Sequence, residues 1–139
     1  MSDNVPTVGL PPGSFTIGKS FSFEAGHQLP GLPIGHKCAR GHGHSYRVEV
    51  ILTCGTLAPP GFVTDFGDLS PFKDFIDEHL DHRNLHEVLP VEPTAELIAQ
   101  YLAGWFLQHL EPALPGRLMA VCVYETATSW ARFDVVRNA

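Results

Sequence analysis

The chain has 139 residues, of which 44% are hydrophobic and 17% are charged. This length and composition fit one folded domain and argue against a disordered chain. Fifteen acidic and nine basic residues give a formal net charge of −6, which disfavours a nucleic-acid partner because nucleic-acid-binding domains usually carry a basic face.

The first residues lack a basic segment followed by an apolar run, so the sequence predicts no signal peptide. The apolar stretches are too short to cross a membrane. Cys38, Cys54 and Cys122 are odd in number and have no paired spacing, which disfavours a disulfide framework. These features indicate a cytoplasmic protein without a membrane partner.

Residues 1–13 combine prolines and glycines without hydrophobic periodicity, which predicts a flexible tail ahead of one domain at 14–139. Alternating apolar residues at 14–23 and 44–52 predict two half-buried strands. The Gly- and Pro-rich stretch 26–41 between them predicts a long loop, and loops of more than about 12–15 residues are often functional.

The middle of the chain changes to helical spacing. After a short predicted strand at 62–66, Ser70 and Pro71 supply an N-cap and a first-turn proline for one helix. A second helix is predicted to begin near Thr94 and to end before Pro112. Two further strands close the chain, at 118–124 and 130–136. This order favours an α+β fold, an antiparallel sheet with two helices on one face.

A histidine pair suggests a metal site. Side chains two residues apart on a strand share a face, so His42 and His44 can converge on one ion, and Gly43 between them removes bulk. Zinc accepts imidazole nitrogen, and His27 is a third candidate ligand from the end of the first strand. A bare pair of this kind arises by chance about as often as it binds metal, whereas the third histidine favours metal binding.

The role of Cys38 stays open from spacing alone. It is a buried structural thiol, a fourth ligand that would close the zinc site, or a catalytic thiolate beside a site left open by three histidines. Asp81 next to His82 indicates either two solvated side chains or a proton-transfer pair. Glu125 at the end of an apolar strand is ambiguous in the same way.

Six blocks occur in an order that resembles the 6-pyruvoyltetrahydropterin synthase superfamily over about residues 15–136. The blocks are FEAGHQL at 23–29, KCARGHGH at 37–44, GFVTDFGDL at 61–69, LDHRNL at 80–85, PTAE at 93–96 and YET at 124–126. The three-residue spacer between Cys38 and His42 resembles that of the bacterial 6-carboxytetrahydropterin synthases of queuosine and deazapurine biosynthesis. Gly26 and His86 depart from the residues usual at their positions, alanine and asparagine.

The resemblance implies a tunnelling fold (T-fold) that oligomerises into a barrel, a homohexamer built as a dimer of trimers with active sites between subunits. It also implies a role for each matched residue. The zinc ligands are His27, His42 and His44; the catalytic base is Cys38; the proton-transfer pair, from a neighbouring subunit, is Asp81 and His82; the anchor for the pterin ring is Glu125.

The implied reaction is a zinc-dependent lyase step that converts 7,8-dihydroneopterin triphosphate to 6-carboxytetrahydropterin, with release of acetaldehyde and triphosphate. Lys37, Arg40 and Arg83 are the basic residues nearest to these motifs in sequence, and they are candidates for binding the triphosphate. Two alternatives stay open. One is a 6-pyruvoyltetrahydropterin synthase, and the other is a non-catalytic pterin-binding module in which Cys38 closes a structural zinc site.

Overall fold

The computed structural model describes residues 4–27 and 42–137, with His42 described by its backbone alone. The predictions for Cys38, Lys37 and Arg40 therefore lie outside the described residues.

Four antiparallel strands form one sheet in the order β1-β2-β3-β4. The strands are β1 at Thr16–His27, β2 at His42–Thr53, β3 at Arg117–Tyr124 and β4 at Trp130–Asp134. The prediction of an α+β fold with an antiparallel sheet is confirmed. β1 and β2 extend further toward the histidines than the alternating apolar residues indicated, because pairing between the two strands continues through residues whose own preference for strand is weak.

Three helices lie between β2 and β3. They are α1 at Ser70–His79, α2 at Leu85–Val88 and α3 at Ala95–His109. The N-terminus of α3 is as predicted, because the Thr94 hydroxyl accepts a hydrogen bond from the backbone N–H of Leu97 at 3.1 Å. Ser70 is instead the first residue of α1, and a 3-10 turn at Phe66–Leu69 leads directly into that helix.

The predicted strand at 62–66 is wrong. Within the described residues its only ladder contact is an isolated bridge between Ala58 and Phe62. Val63 is buried, whereas Phe62 and Phe66 are 43% and 48% exposed. The alternation that suggested a strand therefore reflects a single buried residue, Val63, which packs in the core while the aromatic rings of Phe62 and Phe66 stay exposed.

The helices cover one face of the sheet, as predicted. The ring of Phe72 in α1 packs edge-on against Phe21 of β1 and against Phe106 of α3, at centroid distances of 5.3 and 5.6 Å. This contact joins both long helices and the sheet in one core. None of the helices in the described ranges has the length and apolar character that a membrane span needs.

Candidate metal and substrate site

Two histidines and a glutamate lie on or next to three neighbouring strands, at one end of the sheet. Alternate residues of β1 are buried from Phe21 onward, which places His27 on the face that the helices cover, and its side chain is 1% exposed. Ala25 pairs with His44 across the strands, so His44 lies diagonally beside His27. Glu125 directly follows β3, where its backbone N–H donates to Ser129 O at 3.0 Å.

The three side chains meet at one point, which we call the histidine–glutamate cluster: His27, His44 and Glu125. Glu125 Oε1 lies 3.3 Å from His27 Nε2 and 3.4 Å from His44 Nε2. Two ligand atoms of a tetrahedral zinc ion with bonds of about 2.0–2.1 Å are separated by about 3.3–3.4 Å. The two distances to Glu125 Oε1 therefore match edges of a zinc coordination tetrahedron, and all three ligand atoms lie within 4.8 Å of one another.

A backbone carbonyl fixes the tautomer of His27. His27 Nδ1 lies 3.0 Å from Pro93 O and 2.8 Å from the hydroxyl oxygen of Tyr46. A carbonyl oxygen only accepts, so Nδ1 carries a hydrogen, and in the neutral ring Nε2 presents its lone pair toward Glu125. Metal-binding histidines typically donate their other ring N–H in this way.

Tyr46 supports the cluster from the core. It is 1% exposed and its ring stacks on Phe23 at 5.0 Å. Burial, followed by the negative charge of Glu125, raises the pKa of the Tyr46 hydroxyl far above its ordinary value. Tyr46 therefore stays neutral and holds the buried edge of the His27 ring in place.

The two remaining residues of the predicted zinc chemistry are described only in part or not at all. The backbone of His42 pairs with that of His27 directly across the two strands, and its side chain lies outside the described part of the chain. Cys38 lies outside it altogether.

Asp81 and His82 lie against the end of β1 in the same chain. One carboxylate oxygen of Asp81 accepts from the backbone N–H of Glu24 at 2.9 Å, and the other lies 2.9 Å from His82 Nδ1. The backbone N–H of His82 donates to Glu24 O at 2.5 Å. The N–H of Glu24 and then His82 hold the pKa of Asp81 below its ordinary value, so the carboxylate is charged and His82 carries its hydrogen on Nδ1.

His82 is the one non-glycine residue with positive φ among the described residues, at 58°. In that conformation its backbone N–H turns to β1 while its side chain stays 78% exposed. Gly26 N donates to Arg83 O at 3.0 Å. This is a second backbone hydrogen bond between β1 and the segment that contains His82 and Arg83. The proton-transfer pair is therefore held at a fixed position relative to β1.

A groove of about 490 Å³ joins the two groups. Its lining contains His44 from the cluster and His82 from the loop. Glu24 and Ser45 lie between them, with the Ser45 hydroxyl donating to Glu24 Oε1 at 2.6 Å. The groove therefore borders both the histidine–glutamate cluster, at His44, and the Asp81–His82 pair, at His82.

Sequence reasoning missed Tyr46 and the Pro93 carbonyl. Residues two apart on a strand share a face, so Tyr46 lies on the same face as His42 and His44. The strand spacing could therefore have predicted its position beside the histidines. Pro93 contributes only a backbone atom, which leaves no signal in the identity of the residue.

A fold that places a cluster of two histidines and a glutamate beside a groove lined by His44 and His82 fits a metal-dependent enzyme. The protein-family model described as 6-pyruvoyl tetrahydropterin synthase matches residues 16–135. The chain belongs to this family.

Individual relatives agree with that assignment. The chain is 44% identical over 124 residues to the 6-carboxy-5,6,7,8-tetrahydropterin synthase of Synechocystis, covering 84% of this chain and 91% of the relative. It is 35% identical over 127 residues to the human 6-pyruvoyl tetrahydrobiopterin synthase, covering 79% and 84%. The structure of the Caenorhabditis elegans 6-pyruvoyl tetrahydropterin synthase superposes with a TM-score of 0.76 at 26% identity, covering 89% and 97%.

Proposed function

We propose that the protein is a zinc-dependent carbon–carbon lyase that converts 7,8-dihydroneopterin triphosphate and one water molecule to 6-carboxytetrahydropterin, releasing acetaldehyde and triphosphate. The observation that carries this proposal is the meeting of His27, His44 and Glu125, whose ligand atoms lie within 4.8 Å of one another, near a groove lined by His44 and His82. The Synechocystis relative, named 6-carboxy-5,6,7,8-tetrahydropterin synthase, supports the choice of substrate and product.

The zinc ligands in this proposal are His27, His42 and His44. Support comes from the fixed tautomer of His27 and from the register that sets His42 opposite His27. A zinc ion bound there would act as a Lewis acid toward oxygen atoms of the substrate side chain.

His82 exchanges protons with the substrate in the groove. Because its Nδ1–H donates to Asp81, the other ring nitrogen is free to accept a proton, and the charge of Asp81 stabilises the resulting imidazolium. Cys38 is the proposed second proton-transfer group, on the strength of the matched motif in the sequence. The two groups then serve the two proton transfers that the cleavage requires.

Glu125 anchors the pterin ring. A carboxylate that accepts hydrogen bonds from the ring amide and the exocyclic amino group forms two charge-assisted bonds, each worth about 1.5–3 kcal/mol.

We further propose a cytoplasmic homohexamer that serves queuosine or related deazapurine biosynthesis. Among the described residues, β1 pairs with a strand only on its β2 side, and the other side meets just a bridge from Gly26 to Asn84. An open strand edge favours pairing with another copy of the chain. Sedimentation velocity at micromolar concentration measures the assembly, and a monomer would contradict it.

Product analysis tests the reaction. Zinc-loaded protein incubated with 7,8-dihydroneopterin triphosphate should yield 6-carboxytetrahydropterin and acetaldehyde by mass spectrometry. A 6-pyruvoyl product without acetaldehyde would instead assign the activity named for the human relative. Absence of turnover, together with loss of zinc in Cys38→Ala, would indicate a binding module with a structural zinc.

A further inference from the structure

We infer that residues 4–15 form an arm that packs on a second copy of this chain, in a groove on the outer face of α3. This inference rests on the part of the proposed function that makes the protein a homo-oligomer, and it does not depend on the proposed reaction. The sequence predicts a flexible tail over most of these residues, and that is the alternative which the experiment tests.

The arm lies outside the core of its own chain. All of residues 4–15 are exposed, and they form neither helix nor strand nor turn. Three aliphatic side chains of the arm are among the most exposed in the described residues: Val5 at 86%, Val8 at 69% and Leu10 at 90%. A row of exposed apolar side chains is typical of an interaction site.

Three prolines favour an extended arm. Pro6, Pro11 and Pro12 fix their own φ angles and restrict the residue before each of them to extended backbone. At about 3.1 Å per residue, residues 4–15 span roughly 37 Å, which exceeds the diameter of a small domain, about 30 Å. The Thr53 hydroxyl donates to Phe15 O at 2.8 Å and fixes the base of the arm. The arm is therefore long enough to cross a neighbouring subunit from a fixed starting point.

Continuity with β1 identifies the partner as a second copy of the chain. Among the described residues, one edge of β1 pairs with β2 and the other meets only the bridge from Gly26 to Asn84. The proposed assembly pairs this open edge with another copy, so the arm leaves β1 next to that copy. The residues matched by the family model begin at 16, directly after the arm. The arm is therefore an addition to the part of the chain that matches the family.

The receiving surface is a groove of about 310 Å³ along α3, which we call the helix groove. It is lined by Gln100, Tyr101, Gly104, Trp105, Gln108 and His109. Stacking on Phe75 at a centroid distance of 4.4 Å holds the half-buried ring of Trp105 in place. A Cβ at Gly104 would meet nothing within 4 Å. Glycine inside a helix is unfavourable relative to alanine, and here it leaves open space between two aromatic side chains.

The arm and the helix groove are complementary in chemistry. Proline-rich extended segments bind aromatic-lined grooves, because little conformational entropy is lost when they bind. Prolines lack the backbone N–H, so the arm has more acceptors than donors, whereas Tyr101 and Trp105 can donate from their hydroxyl and ring N–H. Neither the arm nor the lining of the groove contains Asp, Glu, Lys or Arg, so docking buries no such charge.

Photo-crosslinking in the full-length chain tests this contact. The photoreactive residue p-benzoylphenylalanine replaces Leu10, and irradiation should produce a species of twice the chain mass on a denaturing gel. Mass spectrometry should locate the crosslink between residue 10 of one copy and the helix groove of another. The same photoreactive residue in place of Val136, which is exposed at the other end of the chain, should give no crosslink to that groove.

A variant that fills the helix groove gives a second test. Gly104→Gln adds a long uncharged side chain in the open space and favours the helix, so the chain should fold. It should lower the yield of the crosslink at least about tenfold, because the arm would have to displace that side chain. Should Gly104→Gln fail to fold, Val5→Ser in the exposed arm should lower the yield about fivefold. Val136→Ser is its matched control, since both valines are 86% exposed, and it should leave the yield unchanged.

The outcomes separate this inference from the proposed function. A crosslink within one chain, a crosslink to a surface other than the helix groove, or a yield that Gly104→Gln does not lower would contradict the inference and leave the proposed assembly intact. The absence of any defined crosslink would indicate a flexible tail and would contradict the inference as well. If the wild type sediments as a monomer, the inference and the proposed assembly are both wrong, while the product analysis still decides the reaction.

Discussion

The two ends of the sheet use polar side chains in opposite ways. At the site end, Glu125 Oε1 faces two imidazole nitrogens, one of them an acceptor by its fixed tautomer. At the far end, the Glu111 carboxylate accepts from Arg137 Nη1 at 2.9 Å and Nη2 at 2.5 Å, and from the backbone N–H of Leu118 at 2.7 Å. Every one of these far-end contacts joins a donor to an acceptor.

This difference indicates that the polar contacts at the site end serve ligand binding, whereas those at the far end stabilise the fold. Matched donors and acceptors stabilise the protein by themselves, whereas a set of converging acceptors contributes only once a cation is bound. Substitutions within the histidine–glutamate cluster should therefore change ligand binding more than they change the unfolding free energy of the metal-free protein. Substitutions at the far end should do the reverse.

The largest expected effect is the loss of metal in His44→Ala. Removing one imidazole from the cluster should weaken zinc binding at least about a hundredfold, or about 2.8 kcal/mol, since each tenfold change is about 1.4 kcal/mol. Elemental analysis after dialysis and chelator competition measure it. Urea unfolding of the metal-free variant should also show a loss of about 0.5–3 kcal/mol, because the His44 side chain is only 18% exposed and its ring packs against those of His27 and Tyr46.

His109→Ala is the control for this prediction. His109 is exposed at the C-terminal end of α3, where its ring lies 5.4 Å from that of Trp105. The control should keep its full zinc content. Full zinc retention in His44→Ala would contradict the assignment of the cluster.

The sequence was enough to predict the sheet, the two long helices and the histidines that meet. Thr94 was recognisable because an N-cap hydroxyl acts within its own turn, a local relation that spacing reveals. His27 and His44 were recognisable because strand periodicity fixes their faces. Their convergence follows from the register of β1 with β2.

Contacts between segments that are distant in sequence could not be predicted from local patterns. No local pattern indicates that Pro93 O lies beside His27, because the residues are 66 positions apart and the acceptor is a backbone atom. The same holds for Asp81, whose carboxylate binds a backbone N–H on β1. The resemblance implies that the Asp81–His82 pair serves the site of a neighbouring subunit, which stays a prediction; the place of the pair beside β1 of its own chain follows only from the tertiary fold.

A smaller effect is expected at the far end for Gly116→Ala. A Cβ there would lie 2.6 Å from Thr64 Oγ1 and 3.0 Å from Val63 O, and Gly116 N also donates to Thr64 Oγ1 at 3.1 Å. The backbone carbonyl cannot turn aside, so the segment must shift, at a cost of about 1–3 kcal/mol. Urea unfolding measures the loss, and zinc affinity should not change.

Gly104→Ala is the matched control, for which we expect a change in stability of the opposite sign. A Cβ at Gly104 meets nothing within 4 Å, and the residue lies inside α3. Alanine should stabilise the helix by about 0.5–1 kcal/mol. Equal effects of the two substitutions would show that the close approach of Gly116 to Val63 and Thr64 does not constrain the fold.

The smallest expected effect is that of Glu111→Gln, and it depends on pH. Hydrogen bonds from Arg137 lower the pKa of Glu111 below its ordinary value of 4.5, burial opposes them, and the Leu118 N–H adds to the lowering. A carboxyl whose pKa is lower in the folded state stabilises that state at all pH values above its unfolded pKa. The contribution disappears as the pH falls through the folded pKa.

The wild type should therefore exceed Glu111→Gln in unfolding free energy by about 1 kcal/mol at pH 7, a value kept small because Arg137 is partly exposed. This difference should shrink progressively below pH 4.5 as Glu111 takes up a proton. Asp134→Asn, which breaks the exposed pair with Arg132, should change stability far less at either pH. A difference between wild type and Glu111→Gln that stays constant down to pH 2 would mean that the pair with Arg137 does not stabilise the far end through charge. The contrast between the two ends would then rest on packing at Gly116 alone.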